Sequence, residues 1–323
     1  MKIAITIDTE EGWKWDDGFP VREHDIENIL RLDRFHDLCQ RYGLSTTYFT
    51  NHAVFAEPES AAVMARLAAT GSTEIGMHLH PWITPPNATD DNSCHASFLE
   101  NMPSELATEK LAATYRLMGD QGFRPTSFRG GRYSTGETTH KFLLEHGFVA
   151  DASVCPFSTW VDPGAPDYRD TDERPQRISD PEVSDQKTGL WSIPLTRVFS
   201  RRPFTTWNRF FKFIENTPLT HARLIGIMEK TGVARKIWLN FESEPLAPMQ
   251  WLIRNATQLK LPYLCFTIHS SSLSTGLNPY SQKPEQVEKI FYNIEQTFKQ
   301  LITLENFEPA TISEIAHFLE SGK

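Results

Sequence analysis

What most constrains the fold of this 323-residue chain is its alternation of short strand-like apolar runs with segments of helical spacing, almost from end to end. The runs read as strands at residues 2–7, 45–50, 73–78, 126–129, 149–154, 190–195, 236–241 and 262–268. Between them, helices are expected at about 26–41, 60–69, 104–122, 138–146, 247–260 and 284–303. A final helix opens on a Thr311/Glu314 capping box. Asp25 and Ser104 read as N-caps, Gly43 and Gly147 as helix stops. Alternation of this kind builds a parallel sheet covered by helices. Eight strands in this length predict an α/β fold, a distorted (β/α)7-8 barrel forming a single domain over 1–323. Residues 156–189 are rich in Pro and Asp and read as irregular, and an insertion is expected around 198–233.

In such a barrel, functional side chains lie at the C-terminal ends of the strands. The third strand ends in His78-Leu79-His80, and the first runs into Asp8-Thr9-Glu10. Residues i and i+2 of a strand face the same way. Two imidazoles and two carboxylates therefore converge if these strand ends are neighbours. Two histidines and one carboxylate, with positions left open, are the donor set of a catalytic divalent metal, and the spare carboxylate can act as base. Glu10, His78 and His80 are the expected ligands and Asp8 the base; the alternative exchanges the two carboxylates. Zinc is the default ion, and cobalt, nickel or iron suit the same donors. Arg129 ends the fourth strand, Asp151 lies in the fifth, and His269 follows the eighth. Cys94 and His95 read as residues of a long loop, with a third metal contact as the alternative to a plain loop role.

A net charge of -9 and a pI near 5.7 argue against nucleic acid as a partner, because phosphate binding needs a basic face. No apolar run approaches the roughly 18 residues of a membrane span, and no signal peptide is read at the start, so a cytoplasmic, non-transmembrane protein is expected. The four cysteines are scattered without a CxxC and are expected to be reduced thiols. The insertion carries Phe199, Phe204, Trp207, Phe210, Phe211 and Phe213 among Arg201, Arg202, Arg209 and Lys212. It reads either as a lid packed on the barrel or as a surface for a lipid-linked glycan or an anionic membrane. Trp13, Trp15 and Trp82 are expected near the pocket, where aromatic faces can stack on sugar rings.

Five segments carry a family resemblance: Thr6-Ile7-Asp8-Thr9-Glu10, Glu74-Ile75-Gly76-Met77-His78-Leu79-His80-Pro81, Ser127-Phe128-Arg129-Gly130-Gly131-Arg132-Tyr133-Ser134, Asp151-Ala152-Ser153-Val154 and Phe266-Thr267-Ile268-His269-Ser270-Ser271. In order and content they resemble the polysaccharide deacetylases, the NodB-homology carbohydrate esterases of family 4 type, as a divergent branch. That family usually opens on two adjacent aspartates, where Thr9 intervenes here and Glu10 takes the ligand role. Its histidines usually stand four apart, and here they stand two apart. Its arginine motif carries prolines where this chain has Gly130 and Gly131. The resemblance implies a barrel of the deacetylase type, a divalent metal and removal of an N-acetyl group from an amino sugar of a surface polysaccharide, lipopolysaccharide or precursor.

Under that chemistry, Asp8 takes a proton from the attacking water and Arg129 orients Asp8 by a paired hydrogen bond. The metal and backbone N–H groups around Tyr133 stabilise the oxyanion. His269 protonates the leaving amine, and Asp151 orients His269 or Arg129. The partner implied is a carbohydrate, lipid-linked if the insertion meets a membrane. The alternatives are a deformylase or other C–N amide hydrolase on the same fold, and a metal-free carbohydrate-binding relative.

Overall fold

The computed structural model describes residues 1–13, 18–19, 25–87, 93–160, 162–179, 189–217 and 223–322; Trp15 lies outside them. The chain opens with β1 (Lys2–Thr9), α1 (Asp33–Arg41), β2 (Thr46–Thr50), α2 (His52–Ala56), α3 (Pro58–Ala68) and β3 (Thr73–Leu79). It continues through α4 (Ser104–Asp120), β4 (Ser127–Gly130), α5 (Glu137–Glu145), β5 (Ala150–Asp151), β6 (Gln176–Ile178), β7 (Leu190–Ser192) and β8 (Arg197–Phe199). The last part comprises α6 (Phe204–Glu215), α7 (Leu224–Thr231), β9 (Lys236–Trp238), α8 (Leu246–Asn255), β10 (Tyr263–His269), α9 (Pro284–Leu301), β11 (Glu308–Pro309) and α10 (Ile312–Glu320).

The main sheet runs β10-β1-β2-β3-β4-β5-β7-β6, parallel except for the edge strand β6, with β11 paired to the start of β1. Strands β1, β2 and β3 are buried on both faces over most of their length, which is why they read as near-continuous apolar and Thr-rich runs. Ile3, Ile5 and Ile7 pack outward with Phe35 of α1 and Phe298 of α9. Full burial of each such side chain contributes roughly 1.5–3 kcal/mol. Ala4, Phe49, Tyr263 and Cys265 join Ile312 and Ile315 of α10 in a second cluster. Thr311 and Glu314 form the expected capping box, and the Ile312 N–H donates to Thr47 Oγ1 at 3.0 Å. The helix α10 thus covers the N-terminal ends of β2 and β3, leaving their C-terminal ends for a site.

The sheet curls, and individual hydrogen bonds bridge its two ends. Leu239 N–H donates to the Thr196 carbonyl (2.9 Å), Thr267 N–H to the Leu239 carbonyl (3.0 Å) and Phe241 N–H to the Thr267 carbonyl (3.1 Å). The strand expected at 236–241 is therefore divided. Its first half, β9, pairs antiparallel with β8, and its second half bridges in parallel to β10. The strand expected at 149–154 shortens to β5, because residues beyond it bond singly to several neighbours instead of in a ladder. The helix expected at 26–41 begins only at Asp33, after a 3-10 turn at Ile29–Arg31. Asp25 caps no helix; its carboxylate accepts the Glu27 N–H at 2.6 Å. Ser104 is the first residue of α4, with Pro103 in the cap position. Gly43 and Gly147 do end their helices in left-handed conformations. All four cysteines are free thiols.

Candidate metal centre and active site

The parallel register places Asp8 beside His269 of β10, and His78 beside Arg129 of β4. Beyond Thr9 the chain leaves the sheet. The Glu10 N–H donates to Ser270 Oγ (3.1 Å), and Asn28 Nδ2 donates to the Glu10 carbonyl (2.9 Å). This anchoring turns the Glu10 carboxylate toward the end of β3. Its Oε2 lies 3.0 Å from His80 Nε2 and 3.4 Å from His78 Nε2, and the two Nε2 atoms are 3.1 Å apart. Donors bound to a tetrahedral zinc at 2.0–2.1 Å stand about 3.3 Å from one another. The triangle has that size. All three residues are buried, and Glu10 Oε1 is buried without a hydrogen-bond partner. Such an orphaned carboxylate oxygen costs stability unless a cation or donor meets it. The residues therefore fit a divalent ion. Burial opposes ionisation of Glu10, but His80, His269 and hydrogen bonds from His78 and His80 hold its carboxyl well below the usual range.

Each histidine is held by its other ring nitrogen, as metal-bound imidazoles commonly are. His78 Nδ1–H donates to the Arg129 carbonyl at 2.7 Å, leaving Nε2 free to ligate. His80 Nδ1–H donates to Glu11 Oε1 at 2.8 Å. Glu11 is fully buried and also accepts the Trp82 indole N–H (2.9 Å) and an Asn51 amide N–H. Trp82 stacks on the His80 ring with centroids 4.1 Å apart. Burial works against a charged His80, yet the flanking Glu11 and Glu10 push it up to about 9. Sequence spacing did not find Glu11. Alternation of strand faces assigns it away from Glu10, and only its membership of an unbroken acidic pair after the strand hints at a role.

Two glycines make room. A Cβ on Gly76 would lie 2.7 Å from the Phe49 ring and 2.6 Å from Ser127 Oγ. That ring stands under the Arg129 guanidinium, 4.3 Å from its carbon. A Cβ on Gly131 would come within 2.5 Å of both His80 Cδ2 and the Leu79 carbonyl.

Asp8 and Arg129 meet as expected, through one contact rather than a paired one: Arg129 Nη1 donates to Asp8 Oδ1 at 2.6 Å. The same nitrogen reaches Thr6 Oγ1 (2.9 Å) and Thr267 Oγ1 (3.3 Å), and Nε donates to the Ala152 carbonyl (3.1 Å). Arg129 is fully buried, so its charge depends on Asp8 for compensation. The other Asp8 oxygen, Oδ2, faces His269 Nε2 at 3.8 Å. Glu242 holds His269 in place: the His269 ring Nδ1–H and backbone N–H both donate to it, at 2.9 and 2.7 Å, and Ser272 Oγ donates as well. Desolvation disfavours the imidazolium, but Glu242, Glu10 and Asp8 outweigh it and push His269 up to about 10.

Asp151 does not take the orienting role expected of it. Its carboxylate accepts from Thr135 (2.6 Å), from Ser153 N–H (2.9 Å) and from His140 Nε2 (3.1 Å), away from the cavity. Ser153 Oγ in turn accepts the Gly130 N–H at 2.8 Å, so Asp151 braces the turn after β4. Glu242 directly follows the strand expected at 236–241, and that position past a strand end is the sequence signal that could have found it.

These groups face a cavity of about 600 Å³. Trp13, Phe98, Tyr133, Trp160, Trp238 and Tyr280 supply aromatic wall, and Asp8, Glu10, His78, His80, Glu242 and His269 lie on its lining. Tyr133 stacks on Trp160 with centroids 5.4 Å apart. Tyr133 and Arg132 adopt positive φ angles of 61° and 52°, in the turn that follows β4. Cys94 reaches the cavity, with Arg132 Nη1 3.3 Å from its sulfur, whereas His95 is exposed and outside the ligand cluster. Trp13 lines the cavity, while Trp82 sits behind His80.

No family model and no curated protein matches the chain. Among solved structures, a Mycobacterium smegmatis protein provisionally classed as a polysaccharide deacetylase is similar over 99% of this chain and 91% of its own, at 12% identity and a TM-score of 0.54. The Xyl-CE4 domain of a multidomain xylanase from the hindgut metagenome of Trinervitermes trinervoides aligns over 99% and 91%, at 13% identity and a TM-score of 0.43. A 4-alpha-glucanotransferase from Thermococcus litoralis aligns over 98% and 38%, at 10% identity and a TM-score of 0.48. The likeness to the first of these structures concerns the path of the backbone. The chain folds as a distorted (β/α) barrel of the polysaccharide deacetylase type.

Proposed function

We propose that this protein is a metal-dependent hydrolase that removes an N-acetyl group from an amino sugar of a surface polysaccharide, lipopolysaccharide or precursor. The observation that carries this reading is the meeting, in one cavity, of the Glu10–His78–His80 triangle with Asp8 on one side and His269 on the other. We infer that 1–323 works as one catalytic domain, with 198–233 as its insertion.

A divalent ion held by Glu10, His78 and His80, zinc by default, supplies Lewis acidity toward water and the amide carbonyl. Arg129 fixes Asp8 through Oδ1, so Asp8 receives the proton of the attacking water at Oδ2. His269, kept as an imidazolium by the neighbouring carboxylates, holds its transferable proton on Nε2, on the cavity side, while Nδ1–H stays committed to Glu242. It delivers that proton to the departing amine. The aromatic wall excludes water and offers faces for a sugar ring. Three of the four free thiols are buried and suit the cytoplasm, where an intermediate of glycan assembly would be the substrate. The basic, aromatic insertion suits a lipid-linked one. No helix among the described residues is long and apolar enough to cross a membrane.

Acetate release from N-acetylated and formate release from N-formylated amino sugars, measured before and after chelation and after zinc repletion, test the reading. Turnover is expected on an acetylated sugar, lost with the metal and restored by it. Asp8→Asn is expected to keep the metal and lose about two to four orders of magnitude in kcat, while Glu10→Gln loses the metal. The opposite metal contents would exchange the two carboxylate roles, and formate release alone would make the protein a deformylase.

A further inference from the structure

Seven large apolar side chains are exposed among the described residues, and four of them, Phe210, Phe213, Ile227 and Val233, belong to residues 198–233. Helix α6 shows why. Phe204, Asn208, Phe211 and Ile214 form its buried stripe, at helical spacing, against the barrel. Phe210 and Phe213, three residues apart, stand together on the outward side at 45% and 57% exposure. An ordinary surface helix would be polar there. Helix α7 follows with no buried residue at all, although it begins Leu-Ile-Gly-Ile-Met. Ile225 and Met228 pack part-buried against the core, but Ile227 stands 51% exposed, and core packing does not account for it.

The charges around these side chains run against the rest of the molecule. Residues 198–233 hold six Lys or Arg against two Glu, in a chain whose net charge is -9. Arg202 and Lys212 are paired with Glu173 and Asp170, on the side facing the barrel. Arg209, Arg223 and Lys230 are exposed and make no ion pair among the described residues. Exposed apolar groups rimmed by unpaired cations match a surface that is apolar below and anionic at its edge. A second copy of the same face would bring like charges together, which disfavours self-association through it.

We propose that the α6–α7 excursion docks this protein onto an anionic lipid surface, with Phe210, Phe213 and Ile227 entering the acyl boundary and Arg209, Arg223 and Lys230 meeting the headgroups. Docking there is independent of the chemistry proposed for the cavity. It would bring a soluble catalyst to substrates that stay in the membrane.

Co-sedimentation of the full chain with phosphatidylcholine vesicles, with and without 30 mol% phosphatidylglycerol (a composition of about that order), tests this. Binding is expected only to the anionic vesicles and is expected to fall as sodium chloride rises, as screened attraction does. The double variant Phe210→Ser/Phe213→Ser removes exposed groups only, so it should fold as the parent does, and is expected to lower the partition coefficient about tenfold or more. The triple variant Arg209→Gln/Arg223→Gln/Lys230→Gln is expected to lose the salt dependence. No sedimentation with anionic vesicles, equal sedimentation with neutral ones, or unchanged binding by both variants overturns the proposal. A dimer in gel filtration that the Phe variant splits would also overturn it, by assigning the face to a second copy.

Discussion

His269 is protonated at neutral pH only because of its surroundings. Burial alone would lower its pKa, and the nearby carboxylates of Glu242, Glu10 and Asp8 raise it to about 10. A raised pKa means the acid form persists below about 10 and is lost as pH climbs through that value. The corresponding stability is fully present below the ordinary histidine value of roughly 6.5 and fades on the same alkaline climb. Replacing Glu242 by Gln keeps an acceptor for Nδ1–H but removes the charge. The alkaline limb of kcat/KM is then expected to move to lower pH, by about one unit or more, while a limb that stays put would remove Glu242 from this role. Glu11 acts at the other end of the site, on the tautomer of His80. Glu11→Gln is expected to weaken zinc binding about 10- to 100-fold, read by competition with a chromophoric chelator, and to lower the melting temperature of the metal-free protein, because the buried carboxylate that accepts from His80, Trp82 and Asn51 is lost. Spacing made Asp8, Glu10, His78 and His80 legible, because strand alternation puts i and i+2 on one side. The same logic hid Glu11 and Glu242. Both lie past strand ends, where alternation lapses and the backbone is aimed by side-chain anchors such as Ser270 and Asn28. Asp151 was misread for the related reason that a strand-end carboxylate can brace a turn as readily as a catalytic group.

At the level of elements, the site depends on β3 and on the turn after β4 lying in near contact. Gly131 allows this, since any side chain there meets the His80 ring and the Leu79 carbonyl. Gly131→Ala is expected to cost about 1–3 kcal/mol, seen as a lower melting temperature, and to weaken metal binding as His80 shifts. Retention of both the parental melting temperature and the parental zinc affinity would show that the turn yields instead. The regular strands β1, β2, β3, β4 and β10 were legible to within about two residues, because both of their faces are buried and their composition declares it. The elements that shortened or divided, at 149–154, 190–195 and 236–241, do contain strand-like sequence. There the backbone bonds singly to whichever neighbour is near, and no local pattern encodes a partner brought by the closing of the barrel. The 3-10 turn before α1 and the extra helix α2, capped by Asn51, are likewise decided by a few local hydrogen bonds that hydrophobic period does not report.

For the molecule as a whole, parallel order separates two tasks. Strand N-termini meet α10 and its capping box, and strand C-termini carry the polar residues, so one end of the sheet is sealed while the other stays available for chemistry. The α/β alternation was enough to foresee that division. The antiparallel joining of β8 to β9, with Arg197 opposite Trp238 and Phe199 opposite Lys236, has an effect of its own. It brings both ends of the intervening chain together at the barrel wall before that chain wanders off. The entropy of closing the loop is met by this stem, and grows only with the logarithm of what lies beyond it. The outward face of the chain between the stem's two strands is thus a graft on a stable stump: while Phe204, Phe211 and Ile214 keep the inner face buried, the outer one can change its chemistry over generations without the barrel having to be relearned.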